Sequence, residues 1–260
     1  ERMRLKRAGL AVVAVALLVG FVAPAAAQPA GTLVVGLVAE PVNLDPAQVT
    51  DLNSNRVGRR IVETLVTFPE EKTEVVPGLA ESWTISKDGL QYTFKLRKGI
   101  TFHDGTPFNA ASVKFSIERQ INPDHPANKL GKYPFANYFF GNVKAVEPLS
   151  DDRVAFLLKE PRASFLAVLT AGAASIVSPT AVMKAGLDYP SAPVGTGPFK
   201  FASWDRGQRV VLEKNAKYWK GPVKIDRVVY RPIVEDQARL TELLTGQLDL
   251  ESDIALAVIA

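Results

Sequence analysis

Cysteine is absent from the 260-residue sequence, and histidine occurs only at His103 and His125. The lack of a thiol excludes disulfides and excludes a lipid-anchored protein that is attached through an N-terminal cysteine. With two histidines and no cysteine, the chain also has little material for a metal cluster or for a nucleophile–base pair, which argues against an enzyme. The sequence is 47% hydrophobic and 22% charged, which is typical of a globular domain large enough to be stable without disulfides.

The glycine-rich motifs of nucleotide-binding proteins and hydrolases are missing as well. The sequence contains no Walker loop and no Gly-x-Ser-x-Gly elbow. Gly195-Thr196-Gly197 begins like a dinucleotide-binding loop, but Lys200 occupies the place of the third glycine, and Phe199 begins a predicted strand instead of a helix. No internal repeat or low-complexity tract occurs.

Positive charge is concentrated at the N-terminus. The net charge is +4, and three of these charges come from the first seven residues, where Arg2, Arg4, Lys6 and Arg7 are opposed only by Glu1. The remainder of the chain is therefore almost neutral. This distribution excludes an interpretation as a nucleic-acid-binding protein.

The N-terminus has the layout of a secretory signal peptide. The basic start is followed by an uncharged run over residues 8–27, which ends in Ala25-Ala26-Ala27 before Gln28. We predict a signal peptide over residues 1–27, cleavage after Ala27 and a periplasmic protein with no stable membrane insertion afterwards. A retained membrane anchor is the alternative, since a span needs roughly 20 apolar residues, but Pro24 and the alanines favour cleavage.

Hydrophobic patterns predict an α/β fold. The nearly continuous apolar run Leu33–Val38 indicates a central strand covered on both faces, and such a strand needs helices to cover it. A helix is predicted around Val57, Ile61 and Leu65, which share one face. Residues 90–97 alternate between apolar and polar side chains and predict a half-buried strand, preceded by a hairpin turn at Asp88-Gly89.

The remaining elements follow from caps and turns. Asn109 is predicted to cap a helix that carries Val113, Ile117 and Ile121 on one face. His103-Asp104-Gly105 is interpreted as a turn, with a metal site as the less favoured alternative. Further predictions are a strand pair over residues 143–147 and 154–158, helices over 165–169, 179–186 and 235–245, and an irregular loop over 122–141.

Several of these segments together resemble family 5 of the extracellular solute-binding proteins, the dipeptide-, oligopeptide- and nickel-binding receptors of ABC importers. The resemblance rests on many positions at fixed spacing, and these include Ala80–Trp83, Tyr92–Gly99, Phe102–Phe108, Val113–Ser116 and Pro193–Lys200. It implies the α/β fold of one lobe of a class II, cluster C periplasmic binding protein, a mixed sheet with flanking helices and a hairpin-rich subdomain. Residues 28–260 are then lobe I, with a core at 32–66 and about 176–260, an insertion at about 67–175, and the second lobe missing from this chain.

The resemblance also implies a function. It predicts the periplasmic substrate-binding protein of an ABC importer, which captures a di- or oligopeptide and delivers it to an inner-membrane permease and ATPase. A nickel complex, a sugar or an opine is the alternative ligand, and a sensor not coupled to transport is the alternative role. No enzymatic activity, cofactor or metal is expected, and a monomer is expected.

Two polar segments are the candidate ligand contacts. The first follows the central strand and precedes a helix, where ligands bind in open α/β sheets and where helix-start amides can receive an anion; a solvated helix cap is the alternative. The second would offer peptide groups beside the crossing between lobes, with a purely structural role as the alternative. The candidate residues are Thr50, Asp51, Leu52, Asn53, Ser54, Gly195, Thr196 and Gly197.

Two further groups of residues are weaker candidates. The aromatics between Tyr133 and Phe140 either shape a side-chain pocket or simply pack together, and packing is the commoner role. Asp45 and Arg56 are a candidate ion pair across the first loop. Trp83, Trp204 and Trp219 lie in or beside alternating apolar patterns and are interpreted as core residues.

Overall fold

The computed structural model describes residues 31–69 and 74–252; the predicted signal peptide lies outside these ranges. The strands are β1 Thr32–Leu37, β2 Val66–Thr67, β3 Val76–Pro77, β4 Ala80–Ile85, β5 Gln91–Leu96, β6 Val143–Ser150, β7 Arg153–Leu158, β8 Phe199–Asp205, β9 Arg209–Lys214, β10 Arg227–Pro232 and β11 Leu250–Glu251. The α-helices are α1 Leu52–Gly58, α2 Ala110–Ile121, α3 Ala136–Phe140, α4 Phe165–Val168, α5 Pro179–Ala185 and α6 Asp236–Leu244.

The central strand predicted at Leu33–Val38 is confirmed. β1 lies inside a five-stranded sheet of order β11-β1-β10-β9-β8 and pairs in parallel with both β10 and β11. The last four residues of β1, Val34 to Leu37, are buried, as expected of a strand that is covered on both faces. β8 and β9 complete the sheet as an antiparallel hairpin, so the sheet is mixed.

A second sheet consists of two hairpins, β4–β5 and β6–β7, which pair with each other through β5 and β7. Its strand order is β4-β5-β7-β6, and it is antiparallel throughout. The predicted alternation is present in β5, where Tyr92, Phe94 and Leu96 are buried while Gln91 and Lys95 are exposed. Because the period of two places these side chains on opposite faces, one face of the strand enters the core. A two-stranded pair, β2 with β3, leads into this sheet.

Helix α2 covers the inner face of the second sheet. Asn109 caps it as predicted: its side chain accepts a hydrogen bond from the Ser112 amide at 3.0 Å, and the Ser112 hydroxyl accepts one from the Asn109 amide. Val113 and Ile117 are fully buried. Two apolar clusters result, one around this sheet and α2, the other between the five-stranded sheet, α1 and α5. This mixed α/β architecture confirms the predicted fold class, while the domain bounds remain a prediction.

The predicted helix through Ile61 and Leu65 is wrong. Helix α1 ends at Gly58, whose carbonyl accepts hydrogen bonds from the amides of both Ile61 and Val62. The chain then extends, and Glu63 forms an isolated antiparallel bridge with Ile176. Ile61 and Leu65 are buried because the chain passes between the two apolar clusters here, so their spacing of four reflects burial and not helical periodicity.

The irregular loop predicted over residues 122–141 contains helical segments. A 3-10 turn spans Asn128–Leu130 and α3 spans Ala136–Phe140. Helices of this length show no repeating apolar pattern, because they contain little more than one turn. Within residues 31–69 and 74–252, no helix combines the length and the apolar character needed to cross a bilayer.

Candidate functional site

A cavity of about 400 Å³ opens beside helix α1. One side is formed by α1 and the segment before it, and the other by the aromatic residues around α3 and by the segment at 171–175. Its lining is mostly apolar, with a few hydroxyl, amide and charged groups. The lining residues are Pro46, Val49, Thr50, Asp51, Leu52, Ser54, Asn55, Gly58, Arg59, Val62, Phe135, Phe139, Ala171, Gly172, Ala173 and Ser175.

Four of the five candidates in the first predicted segment line this cavity: Thr50, Asp51, Leu52 and Ser54. Thr50 and Leu52 are exposed, and Leu52 retains 60% of its accessible surface although it is a large apolar side chain. Asn53 points elsewhere, because it is buried and its Oδ1 accepts a hydrogen bond from Arg56 at 3.3 Å. The segment predicted from the sequence thus lines the cavity, although Asn53 itself does not.

Asp51 is the cap of helix α1. Its Oδ1 accepts a hydrogen bond from the Ser54 amide at 2.8 Å, and its Oδ2 accepts one from the Ser54 hydroxyl at 2.5 Å. The Ser54 hydroxyl oxygen also accepts a hydrogen bond from the Val42 amide, which joins the loop after β1 to the helix. The Ser54 amide at the helix start is therefore occupied by a side chain of the protein, as in the alternative interpretation of this segment as a helix cap.

The opposite wall is aromatic. The rings of Phe135 and Phe139 meet edge to face with centroids 6.0 Å apart, and Phe135 is 40% exposed. The other aromatics of this segment, Tyr133, Tyr138 and Phe140, do not line the cavity. Phe135 and Phe139 therefore agree with the less favoured alternative, a pocket shaped by these rings, while packing is the role expected of the other three.

The charged groups of the lining are Asp51 and Arg59, which lie at opposite ends of α1. Arg59 follows the last helical residue, and its amide donates to the carbonyl of Asn55 at 2.9 Å. The polar segment singled out in the sequence ends at Asn55, which also lines the cavity, whereas sequence reasoning missed Arg59. The spacing of Arg59 from Leu52, at position i+7, places it on the same helical face, and this signal would have identified it.

The second predicted segment lies away from the cavity. The peptide groups of Gly195 and Gly197 are used within the protein: the Gly195 carbonyl accepts from the His103 amide at 2.9 Å, and the Gly197 amide donates to the Ile61 carbonyl at 2.9 Å. A Cβ at Gly195 would lie 2.2 Å from the Ile61 oxygen, so the segment requires glycine. Thr196 is fully buried and donates to Glu63 at 2.9 Å. These contacts favour the structural alternative, and ligand contact by Gly195, Thr196 or Gly197 remains a prediction.

His103 holds this segment in place. Its Nε2 donates to the Gly197 carbonyl at 3.0 Å, and its Nδ1 accepts from the Gly195 amide at 3.4 Å. Burial lowers the pKa of His103 to about 4, and the positive charge of Lys200 adds to this effect. The imidazole is therefore neutral at physiological pH.

The neighbour of His103, Asp104, serves the predicted turn. It accepts hydrogen bonds from the Thr106 amide and hydroxyl, and from the Ser178 hydroxyl at 2.6 Å. Ser178 in turn caps α5, where its side chain accepts a hydrogen bond from the Ala181 amide. The serine is therefore hydrogen-bonded to the carboxylate and not to the imidazole, which is not the arrangement of a hydrolytic triad. Among residues 31–69 and 74–252, no three histidine, aspartate or glutamate side chains are grouped in a way that could hold a metal ion.

Comparison with known proteins places this architecture in a family. Residues 74–260 match the family model described as "Bacterial extracellular solute-binding proteins, family 5 Middle". The glutathione-binding protein GsiB of Pectobacterium atrosepticum is 37% identical over 79% of this chain and 38% of its own length. The heme-binding protein A of Haemophilus influenzae is 38% identical over 81% of this chain and 41% of its own length.

A solved structure agrees with these two relatives. The periplasmic binding protein DppA from Helicobacter pylori, associated with an ABC transporter and in complex with the peptide STSA, has a TM-score of 0.82 and 35% identity over 88% of this chain and 48% of that one. The chain thus spans less than half the length of the relatives that it matches. Because the family model covers most of the sequence and the fold agrees with a related structure, the chain belongs to family 5 of the bacterial extracellular solute-binding proteins.

Proposed function

We propose that this chain supplies one ligand-holding lobe of a periplasmic receptor that captures a peptide and delivers it to an ABC importer. The observation that carries the proposal is the cavity beside α1, in which a polar segment after a central strand faces two phenylalanines. Small-molecule sites are typically concave, mostly apolar and supplied with a few placed polar groups, which describes this cavity. The residues proposed to contact the solute are Thr50, Asp51 and Leu52, while the fully buried Ser54 holds Asp51 in place.

Peptides are the preferred class of solute. GsiB is named for glutathione, which is a tripeptide, and DppA was solved with a tetrapeptide. The mixture of apolar lining and hydroxyl groups suits a peptide, whose backbone needs hydrogen bonds while its side chains need an apolar surface. A nickel complex, a sugar or an opine remains the alternative, and so does a sensor without a transport partner.

The mechanism is binding without bond-breaking. In a two-lobed receptor, one lobe holds the solute at the ends of its strands and the second closes over it by a hinge motion. The closed form would then dock on a permease and ATPase in the inner membrane. Residues 1–27 would direct export to the periplasm as a cleaved signal peptide, and the receptor would act as a monomer.

The test uses the complete protein expressed from the whole reading frame. Isothermal titration calorimetry with Ala-Phe, Ser-Thr-Ser-Ala, reduced glutathione, haem and nickel with L-histidine would measure binding. We expect at least one of the three peptides to bind with micromolar or tighter affinity, without being hydrolysed during the titration. Binding of haem or nickel–histidine without any peptide would contradict the peptide proposal but not a receptor function. Peptide hydrolysis detected by chromatography would contradict the receptor mechanism.

A further inference from the structure

The two charged groups of the cavity, Asp51 and Arg59, differ in whether their hydrogen-bonding atoms are already used. Both oxygens of Asp51 already accept hydrogen bonds from Ser54, and the carboxylate lies at the positive end of the α1 dipole. Arg59 is exposed, and within residues 31–69 and 74–252 its guanidinium makes no hydrogen bond, ion pair or ring contact. The cavity wall therefore carries a carboxylate whose two oxygens are already hydrogen-bonded and a guanidinium whose donors are unused among the described residues.

The neighbouring arginines do not share this arrangement. Arg56 donates to Asn53 and to the Ser252 carbonyl, each at 3.3 Å, and it faces away from the cavity. Arg60 is adjacent in sequence but does not line the cavity. Arg59 is thus distinguished from its neighbours because it belongs to the lining of the cavity, which is mostly apolar.

We propose that Arg59 recognises a carboxylate of the solute while an apolar or aromatic arm of the same solute packs against Phe135 and Phe139. This inference rests on the proposed function. A guanidinium presents paired N–H donors that match the two oxygens of a carboxylate, and such charge-assisted pairs are stronger than neutral hydrogen bonds. Asp51 lies roughly 12 Å away along the helix, from the rise of 1.5 Å per residue, so its charge does not cancel that of Arg59 at short range.

The experiment is a binding cycle on the complete protein. Ala-Phe and its C-terminal amide, Ala-Phe-NH2, are titrated into the wild type, Arg59→Gln and Arg60→Gln by calorimetry; Ser-Thr-Ser-Ala and its amide serve as a second pair. We expect the wild type to prefer the free acid, and Arg59→Gln to reduce that preference about tenfold, because the variant loses the charge-assisted pair with the carboxylate. Arg60→Gln removes the same charge one residue further on and should leave the preference unchanged.

The outcomes separate this inference from the function on which it rests. If the peptides bind the wild type but the ratio of acid to amide affinity is the same in Arg59→Gln, the inference is wrong and the receptor function stands. An equal loss of that ratio in Arg60→Gln would also overturn it, because the effect would then come from overall charge. If no peptide of either pair binds the wild type, the peptide function itself fails. Arg59→Lys should retain part of the preference, because it keeps the charge but loses the paired donors.

Discussion

Arg119 and Asp45 form a buried ion pair in which Nη2 lies 2.6 Å from Oδ1 and Nη1 lies 2.8 Å from Oδ2, and each side chain is only 1% exposed. Asp45 belongs to the loop after β1, whereas Arg119 belongs to α2, which packs on the other sheet. The rings of Tyr133 and Tyr189 flank the guanidinium at 5.7 and 5.8 Å. The pair therefore joins the loop after the central strand to the hairpin-rich sheet, and the partner of Asp45 is Arg119 rather than the candidate Arg56.

Breaking this pair should destabilise the protein strongly. Arg119→Met leaves the carboxylate of Asp45 buried without its cation, and the loss of one partner of a buried pair costs about 3–5 kcal/mol. Urea unfolding followed by tryptophan fluorescence measures this loss. Arg209→Gln, which breaks the exposed pair with Asp205, is the control and should cost less than about 1 kcal/mol.

Replacement of both partners gives a further check on the same pair. Asp45→Leu combined with Arg119→Met leaves neither charge behind, so it should be clearly more stable than either single variant. Equal stability of Arg119→Met and Arg209→Gln would contradict the role assigned to the buried pair.

His103 should make the folded state less stable in weak acid. Its pKa is lowered from 6.5 in an unfolded chain to about 4 in the fold, so between these pH values the unfolded chain binds a proton that the folded protein does not. The contribution of His103 is complete above about pH 6.5 and is lost as the pH falls towards 4. Burial explains the direction of this pKa shift, because it disfavours the charged imidazolium.

Comparison of His103→Gln with wild type isolates this effect. The decrease in unfolding free energy from pH 7 to pH 5 should be smaller in the variant by about 2 kcal/mol, because about 1.4 kcal/mol is linked to each pH unit for one proton. His125→Gln is the matched control, since burial lowers the pKa of that less buried histidine as well, and it should alter the pH dependence less. An identical pH dependence in wild type and His103→Gln would refute the assignment.

Gly195 should not tolerate a side chain. Alanine there would bring Cβ to 2.2 Å from the Ile61 carbonyl oxygen, a backbone atom that cannot move without disturbing the chain between the two apolar clusters. We expect Gly195→Ala to destabilise by about 2 kcal/mol or more, as is usual for overpacking. Gly58→Ala is the control, because its nearest atom would be 3.9 Å away and alanine favours the helix. Thermal unfolding should show a lower midpoint for the first variant only.

Local elements could be predicted from the sequence, whereas contacts between residues far apart in the sequence could not. Val34 to Leu37, the alternation at Tyr92 and Phe94, and the cap at Asn109 are all signalled by neighbouring residues, and these elements were predicted. The pairing of Arg119 with Asp45 was not, because their 74 positions of separation leave no pattern that specifies contact. The helix prediction at Ile61 failed for the same reason. Ile61 is buried because the chain passes between the two apolar clusters, and the apolar spacing in the sequence does not distinguish this from the buried face of a helix.

The same difference between local signals and long-range contacts applies to the residues of the candidate site. Thr50, Asp51 and Leu52 are candidates from the sequence alone because a polar stretch between a strand and a helix is visible there, and all three line the cavity. Arg59 is not a candidate from the sequence because only the fold brings Phe135 and Phe139 into the same cavity lining. The sequence suggests that Gly195 exposes its peptide groups to a ligand. In the structure, the Gly195 amide donates a hydrogen bond to Nδ1 of His103, 92 residues earlier.

Phe135 should contribute to affinity without contributing much to stability. Its ring is 40% exposed in the cavity wall, so Phe135→Ala removes apolar surface from the site while leaving no cavity in the core. In the complete protein we expect affinity for Ala-Phe to fall about 3–10-fold, which corresponds to the 0.5–1.5 kcal/mol of an aromatic pair, with affinity for Ala-Gly much less affected. Tyr138→Ala is the matched control, because Tyr138 lies three residues further along the same segment and is 71% exposed but does not line the cavity. Calorimetry with both dipeptides measures the difference, and an equal loss for Ala-Phe and Ala-Gly, or an equal effect of Tyr138→Ala, would show that the aromatic wall does not hold the side chain of the solute.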